Sequence, residues 1–149
     1  MTEKEKNDLY YVCSLIEFVG RLTKNKNSDL VQAIGTVELG RQLAVAELNH
    51  CLTFEQVAAE MIQDFNIKDG TFDSVGASED KVPHFISIGG VYSDLIIDLA
   101  NENKRPIPTI MFEVFTSFIN EAISDFNSST FYENPSFIFH SYKSGYLLD

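Results

Sequence analysis

Glu47 and His50 stand three residues apart in a helical pattern, a spacing that sets a carboxylate and an imidazole on one helix face. Di-iron and di-manganese bundles use two such Glu-x-x-His steps plus a glutamate from each of two other helices. This chain has a single step, and neither His84 nor His140 has a glutamate three positions before it. Half of that donor set is therefore missing, and a surface glutamate beside a helix-end histidine has the same spacing. Cys51 follows directly, just before a helix start at Thr53. A thiol near a helix N-terminus is a candidate nucleophile because the helix end favours the thiolate. Its neighbours Leu52 and Phe54 argue instead for a buried structural thiol. An enzyme or metal protein centred on Glu47, His50 and Cys51 is one alternative reading of the chain.

Asp94, Asp98 and Glu102 recur at i, i+4 and i+8, opposite an apolar face running from Ile88 to Leu99. Like charges at that spacing cost a helix about 0.2–0.5 kcal/mol per pair, which a basic partner or a divalent ion would offset. A solvated helix face has the same pattern. Lys104-Arg105, just beyond, suits either a site or the electrostatics of a helix C-terminus. Ten of the eighteen aromatic residues lie between Phe112 and Tyr146. Phe112, Phe115, Phe118 and Phe126 mix with aliphatic residues at helical spacing and belong to a core. Phe131, Tyr132, Phe137, Phe139, Tyr142 and Tyr146 are less patterned, and Phe131, Tyr132 and Tyr142 are candidates for a partner surface or for self-association. No Gly-x-Ser-x-Gly elbow, HExxH, CxxC, Walker lysine or strand–GxGxxG–helix arrangement occurs, so no catalytic residue and no cofactor is assigned.

The charge is unevenly spread. Residues 1–52 hold seven acidic and six basic side chains, whereas residues 53–149 hold fifteen acidic and five basic, so the second part carries −10 of the net −11. Such a surface repels phosphate backbones and anionic lipids and attracts basic partners, which argues against direct nucleic-acid or membrane binding. Two cysteines are too few for a disulfide framework. The charged opening MTEKEKNDLYY does not resemble a secretory leader, and no run of about 18 apolar residues is present to span a membrane. A cytoplasmic setting is expected.

The elements that must position these residues follow from periodicity. Leu9, Val12, Leu15, Ile16, Val19 and Leu22 predict a helix over Asp8–Lys24. Asn27-Ser28-Asp29 predicts a turn and cap for a short helix through Leu30, Val31 and Ile34. Gly35 and Gly40 bracket a breakable stretch, and helix resumes over Val37–His50 through Leu39, Leu43, Ala46 and Leu48. Thr53 and Gln56 form a capping box ahead of Phe54, Val57, Ala58, Met61, Ile62 and Phe65. Residues 66–83, with Asp69-Gly70, Gly76 and Pro83, read as a long acidic connection. Ile88, Val91, Tyr92, Leu95, Ile96 and Leu99 predict the next helix, although Gly89-Gly90 weakens its start and a short strand near Thr71–Gly90 is an alternative. Residues from Ile110 to Phe126 predict one wide apolar helix, and Pro135 or Ser136 opens a final one that Gly145 closes.

The segment His50-Cys51-Leu52-Thr53-Phe54-Glu55-Gln56-Val57, together with the tail from Asp125-Phe126-Asn127-Ser128-Ser129 to Gly145-Tyr146-Leu147-Leu148, resembles an uncharacterised family of small bacterial helical proteins. The resemblance spans most of the chain. It implies a bacterial setting and no particular activity.

The expectation is an all-α single domain of six or seven helices over residues 1–149, in halves 1–65 and 84–149 joined by residues 66–83. The expected role is a non-catalytic interaction or regulatory one, in which the acidic second half engages a basic protein. An oligomer held by the aromatic C-terminal region is a further alternative.

Overall fold

In the computed structural model, which describes residues 1–148, the chain opens on a reciprocal cap. Thr2 Oγ1 accepts from the Glu5 amide at 3.1 Å, and the Glu5 carboxylate accepts from the Thr2 amide at 3.1 Å. This starts α1 (Glu3–Thr23) earlier than the expected Asp8. The predicted apolar face is buried except for Leu22, which is 56% exposed. Gly20 and Thr23 take the inward positions of the last turn, and the chain leaves through Lys24 in a left-handed conformation.

The next helix, α2 (Asn27–Asn49), is broken by Gly35 at φ 81° and ψ 164°, a region only glycine enters readily. Gly40 stays helical, so only the first of the two glycines interrupts it. Beyond the kink the helix lies on the surface: Leu39 and Ala46 are buried, whereas Val37 and Leu48 are 70% and 72% exposed. The expectation that Leu48 would face the core is therefore corrected. Cys51 is likewise exposed instead of buried, because it sits in the turn after α2 and not on an inward helix face.

Thr53 and Gln56 form the expected box (Gln56 N to Thr53 Oγ1 3.1 Å, Thr53 N to Gln56 Oε1 2.9 Å) and start α3 (Phe54–Asp64), which buries Val57, Ala58 and Met61. Residues 66–83 form neither helix nor strand, yet they are tied down at both ends. The amides of Gly70 and Phe72 donate to the carbonyls of Thr23 and Lys24 at 2.8 and 2.9 Å. Asn127 donates to the Ala77 carbonyl at 2.9 Å and accepts from the Glu79 amide at 2.8 Å.

His84 caps α4 (Phe85–Glu102) by accepting from the Ile86 amide at 3.1 Å. Gly89 is buried inside this helix, where its missing side chain lets α4 lie directly on α1. The stretch read as one helix from Ile110 to Phe126 is two, α5 (Ile107–Phe115) and α6 (Phe118–Ser124). Thr116 Oγ1 and Ser117 Oγ each donate to a carbonyl of the preceding turn at 2.7 Å, and Ser117 then caps α6. Hydroxyls that bond to local backbone in this way compete with the helix ladder and end it. A 3₁₀ turn at Thr130–Tyr132 leads to α7 (Pro135–Ser144), closed by Gly145 at φ 82° as expected.

The seven helices form one all-α domain, with no strand among the described residues. Helix α1 is its axis, packed most extensively on α4 and also on α2 and α3, while α2 and α4 meet α5 and α4 also meets α7. The halves thus share a single core, in which the rings of Tyr92 and Phe115 stack at 4.2 Å.

Candidate functional site

The acidic stripe lies on the outer face of α4. Tyr92, Leu95, Ile96 and Leu99 point into the core, which leaves Asp94 exposed and Asp98 half-buried on the opposite side. Neither has a cation within 4.0 Å among the described residues. Partial desolvation against the helix surface raises the pKa of both carboxyls above the usual aspartate value, and the neighbouring Asp98 charge raises that of Asp94 further. Glu102 is different, because Lys143 of α7 pairs with it. The stripe therefore divides into a free pair and a glutamate that staples α7 to the end of α4.

Arg105 does not cap α4. Its guanidinium makes two bonds of 2.8 and 2.7 Å to the Glu113 carboxylate on α5, which lowers the pKa of Glu113. Tyr142 is half-buried nearby, its pKa raised by burial and then by the Glu113 charge. Phe131 is half-buried, edge-on to Phe126 at 5.8 Å and to Tyr132 at 4.9 Å. Of the three aromatic candidates only Tyr132, at 70% exposure, stands clear of the body.

Glu47 and His50 do share a site, an open groove of about 780 Å³ that Lys4, Asp8, Tyr11 and Phe54 also line. Lys4 bridges Asp8 at 2.7 Å and Glu47 at 3.5 Å, and the His50 ring lies 4.2 Å from that of Tyr11. Cys51 does not line the groove. No group of three or more His, Cys, Asp or Glu side chains placed to hold a metal ion occurs among the described residues. Glu47 is used in a surface ion pair, and the predicted trio is not assembled.

A second site escaped sequence reasoning. Glu17, 3% exposed, accepts from Arg21 Nε at 2.7 Å and from Asn27 Nδ2 at 2.8 Å. Burial raises the Glu17 pKa, and the Arg21 charge and the bond from Asn27 oppose that rise. Asn27 reaches in because Gly20 has no side chain, its Oδ1 filling the place a Cβ would take. The Arg21 guanidinium lies over the Phe126 ring at 5.1 Å. Tyr92, fully buried, donates to Asn120 Oδ1 at 2.8 Å, with Asn27 and Ser124 beside its oxygen. Asn120 and Ser124 then line a partly open cavity of about 300 Å³, together with Phe72 of the long connection, Phe126 and Lys26. The only signal in the sequence was the i, i+4 pair Glu17–Arg21, and nothing in it indicated that the pair lies inside.

Fold and surface together define an all-α domain with a strongly acidic second half, an open groove and a buried polar cluster backing a small cavity. No protein-family model, no curated protein and no solved structure matches the chain. No helix among the described residues is long and apolar enough to cross a membrane.

Proposed function

We propose that this chain is a non-catalytic interaction protein whose acidic second half engages a basic partner protein. The supporting observation is the Asp94–Asp98 pair: two adjacent carboxylates on one outward helix face with no internal cation, held at raised pKa. A cationic side chain docked against them would relieve their repulsion, so complex formation is favoured by the charge the fold leaves unbalanced. The wider field has the same sign. Only Asp73, Glu102 and Glu113 among the described carboxylates of residues 53–148 have a cation within 4.0 Å. Such a field speeds encounter with basic surfaces and repels nucleic acid and anionic lipid. The resemblance to small bacterial helical proteins makes a bacterial cytoplasm the setting of this proposal.

The test is a pull-down from extract of the native cell using three forms. They are the wild type, an Asp94→Asn/Asp98→Asn variant, and a Glu55→Gln/Glu60→Gln variant with the same net charge. A basic protein retained by the first and third, lost with the second and released by salt supports the reading. Enrichment of the same proteins by all three forms, or of none, sinks it.

A further inference from the structure

The cavity beside the buried polar cluster has features that the interaction proposal does not use. Its volume of about 300 Å³ is at the small end of ligand pockets and would hold about ten waters at ~30 Å³ each. Its mostly apolar lining includes two buried polar side chains, Asn120 and Ser124, 2% and 8% exposed. Asn120 Oδ1 is taken by Tyr92, which orients the side-chain amide, while its Nδ2 makes no hydrogen bond among the described residues. An amide nitrogen carries two donors, so a buried side chain lining the cavity holds unused donor capacity in a fixed direction. Behind it, Glu17, Arg21, Asn27 and Tyr92 occupy interior positions that apolar residues would fill more favourably. Local rules are broken together in this way mainly where a site needs support.

The walls are aromatic. Phe72 and Phe126 both line the cavity, and the Lys26 ammonium lies 5.9 Å from the Phe72 ring. Phe72 belongs to the long connection, whose backbone is held to Thr23, Lys24 and Asn127, so this wall is positioned by hydrogen bonds as well as by packing. Glu121 and Asp125 also line the cavity and are exposed, and against the single Lys26 they make an anionic ligand unfavourable.

We infer that this cavity binds an uncharged planar heteroaromatic molecule of nucleobase to nucleoside size, with a ring nitrogen or carbonyl accepting from Asn120 Nδ2 and the ring lying against Phe72 and Phe126. A flat ring matches aromatic walls, and an acceptor matches the unused amide donor.

Backbone amide NMR of the intact protein, titrated separately with adenosine, uridine and nicotinamide, tests this. At least one should give saturable shifts confined to residues 72–77 and 120–127, and its affinity should fall about tenfold or more in Phe72→Ala. Asn120→Ala removes the donor but also leaves Tyr92 without its acceptor; Phe72→Ala, on the outer wall, keeps the test independent of folding. No saturable shift from any of the three up to about 5 mM overturns the proposal. So does indole binding as tightly as the best of them, which would show that the buried polar side chains select nothing. Tighter binding of adenosine monophosphate than of adenosine overturns the assignment to uncharged ligands.

Discussion

Gly89 of α4 rests on Ser14 of α1 so closely that a Cβ at position 89 would stand 2.7 Å from the Ser14 Cα. The Ser14 hydroxyl would stand nearer still and could rotate away, but the Ser14 backbone could not, so Gly89→Ala must push the two central helices apart. The expected cost is about 1–3 kcal/mol. At Gly90 a Cβ would meet only the Tyr10 ring, at 3.8 Å or more, and Gly90→Ala should stabilise by about 0.4–1 kcal/mol through helix propensity. Urea unfolding of the two variants should show opposite signs.

The buried pair Glu17–Arg21 should behave as a unit with Asn27. Glu17→Gln leaves Arg21 without its counter-charge in a mostly buried site and should destabilise by about 3 kcal/mol. Glu17→Gln combined with Arg21→Met should cost less than the two single changes added together. A double-mutant cycle in urea measures this coupling, and strict additivity would contradict the picture of one connected cluster.

Gly35 bends α2 through a backbone conformation closed to other residues. A Cβ there meets nothing within 4 Å, so Gly35→Ala should fail through strain and not through collision, by about 1–3 kcal/mol. A neutral or stabilising result would mean that α2 straightens.

Asp94 and Asp98 carry a pH signature of definite sign. Their folded pKa values lie above the unfolded ones, so the folded state binds protons more readily and ionisation opposes folding. The penalty is absent below the unfolded pKa, develops as pH rises through the folded pKa, and is complete at neutral pH. Asp94→Asn/Asp98→Asn should therefore be more stable than the wild type near pH 7, with the gain shrinking toward about pH 3.5. Urea midpoints across that range give the answer.

The two cysteines should separate cleanly. Cys51 is exposed, whereas Cys13 is completely buried and burial pushes its thiol pKa far up. A colourimetric thiol reagent should modify one cysteine in the native protein and both only after unfolding, and a Cys51→Ser variant should lose the fast phase.

The features legible in the sequence are those set within a few residues. Thr53 and Gln56 cap a helix because a hydroxyl and an amide three residues apart satisfy each other's backbone. Gly145 ends the last helix because only glycine turns left-handed without cost. The 3.6-residue periodicity of Leu9–Val19 and Ile88–Leu99 exposed two core helices, and with them the all-α class, for the same local reason. Tertiary structure decided what depends on neighbours distant in the chain. It made Gly89 a crossing point instead of a helix defect. It left Leu48 and Cys51 in water, since Leu48 lies on the outer face of α2 and Cys51 in the turn beyond it. It joined Glu102 to Lys143 across 41 residues and so removed it from the stripe. It also drew Glu17, Asn27, Tyr92 and Asn120 into one buried cluster and set Asn120 and Phe72 in the lining of one cavity. Periodicity shows that a face is apolar, but which polar side chain is buried with it depends on packing against helices that its own segment cannot specify.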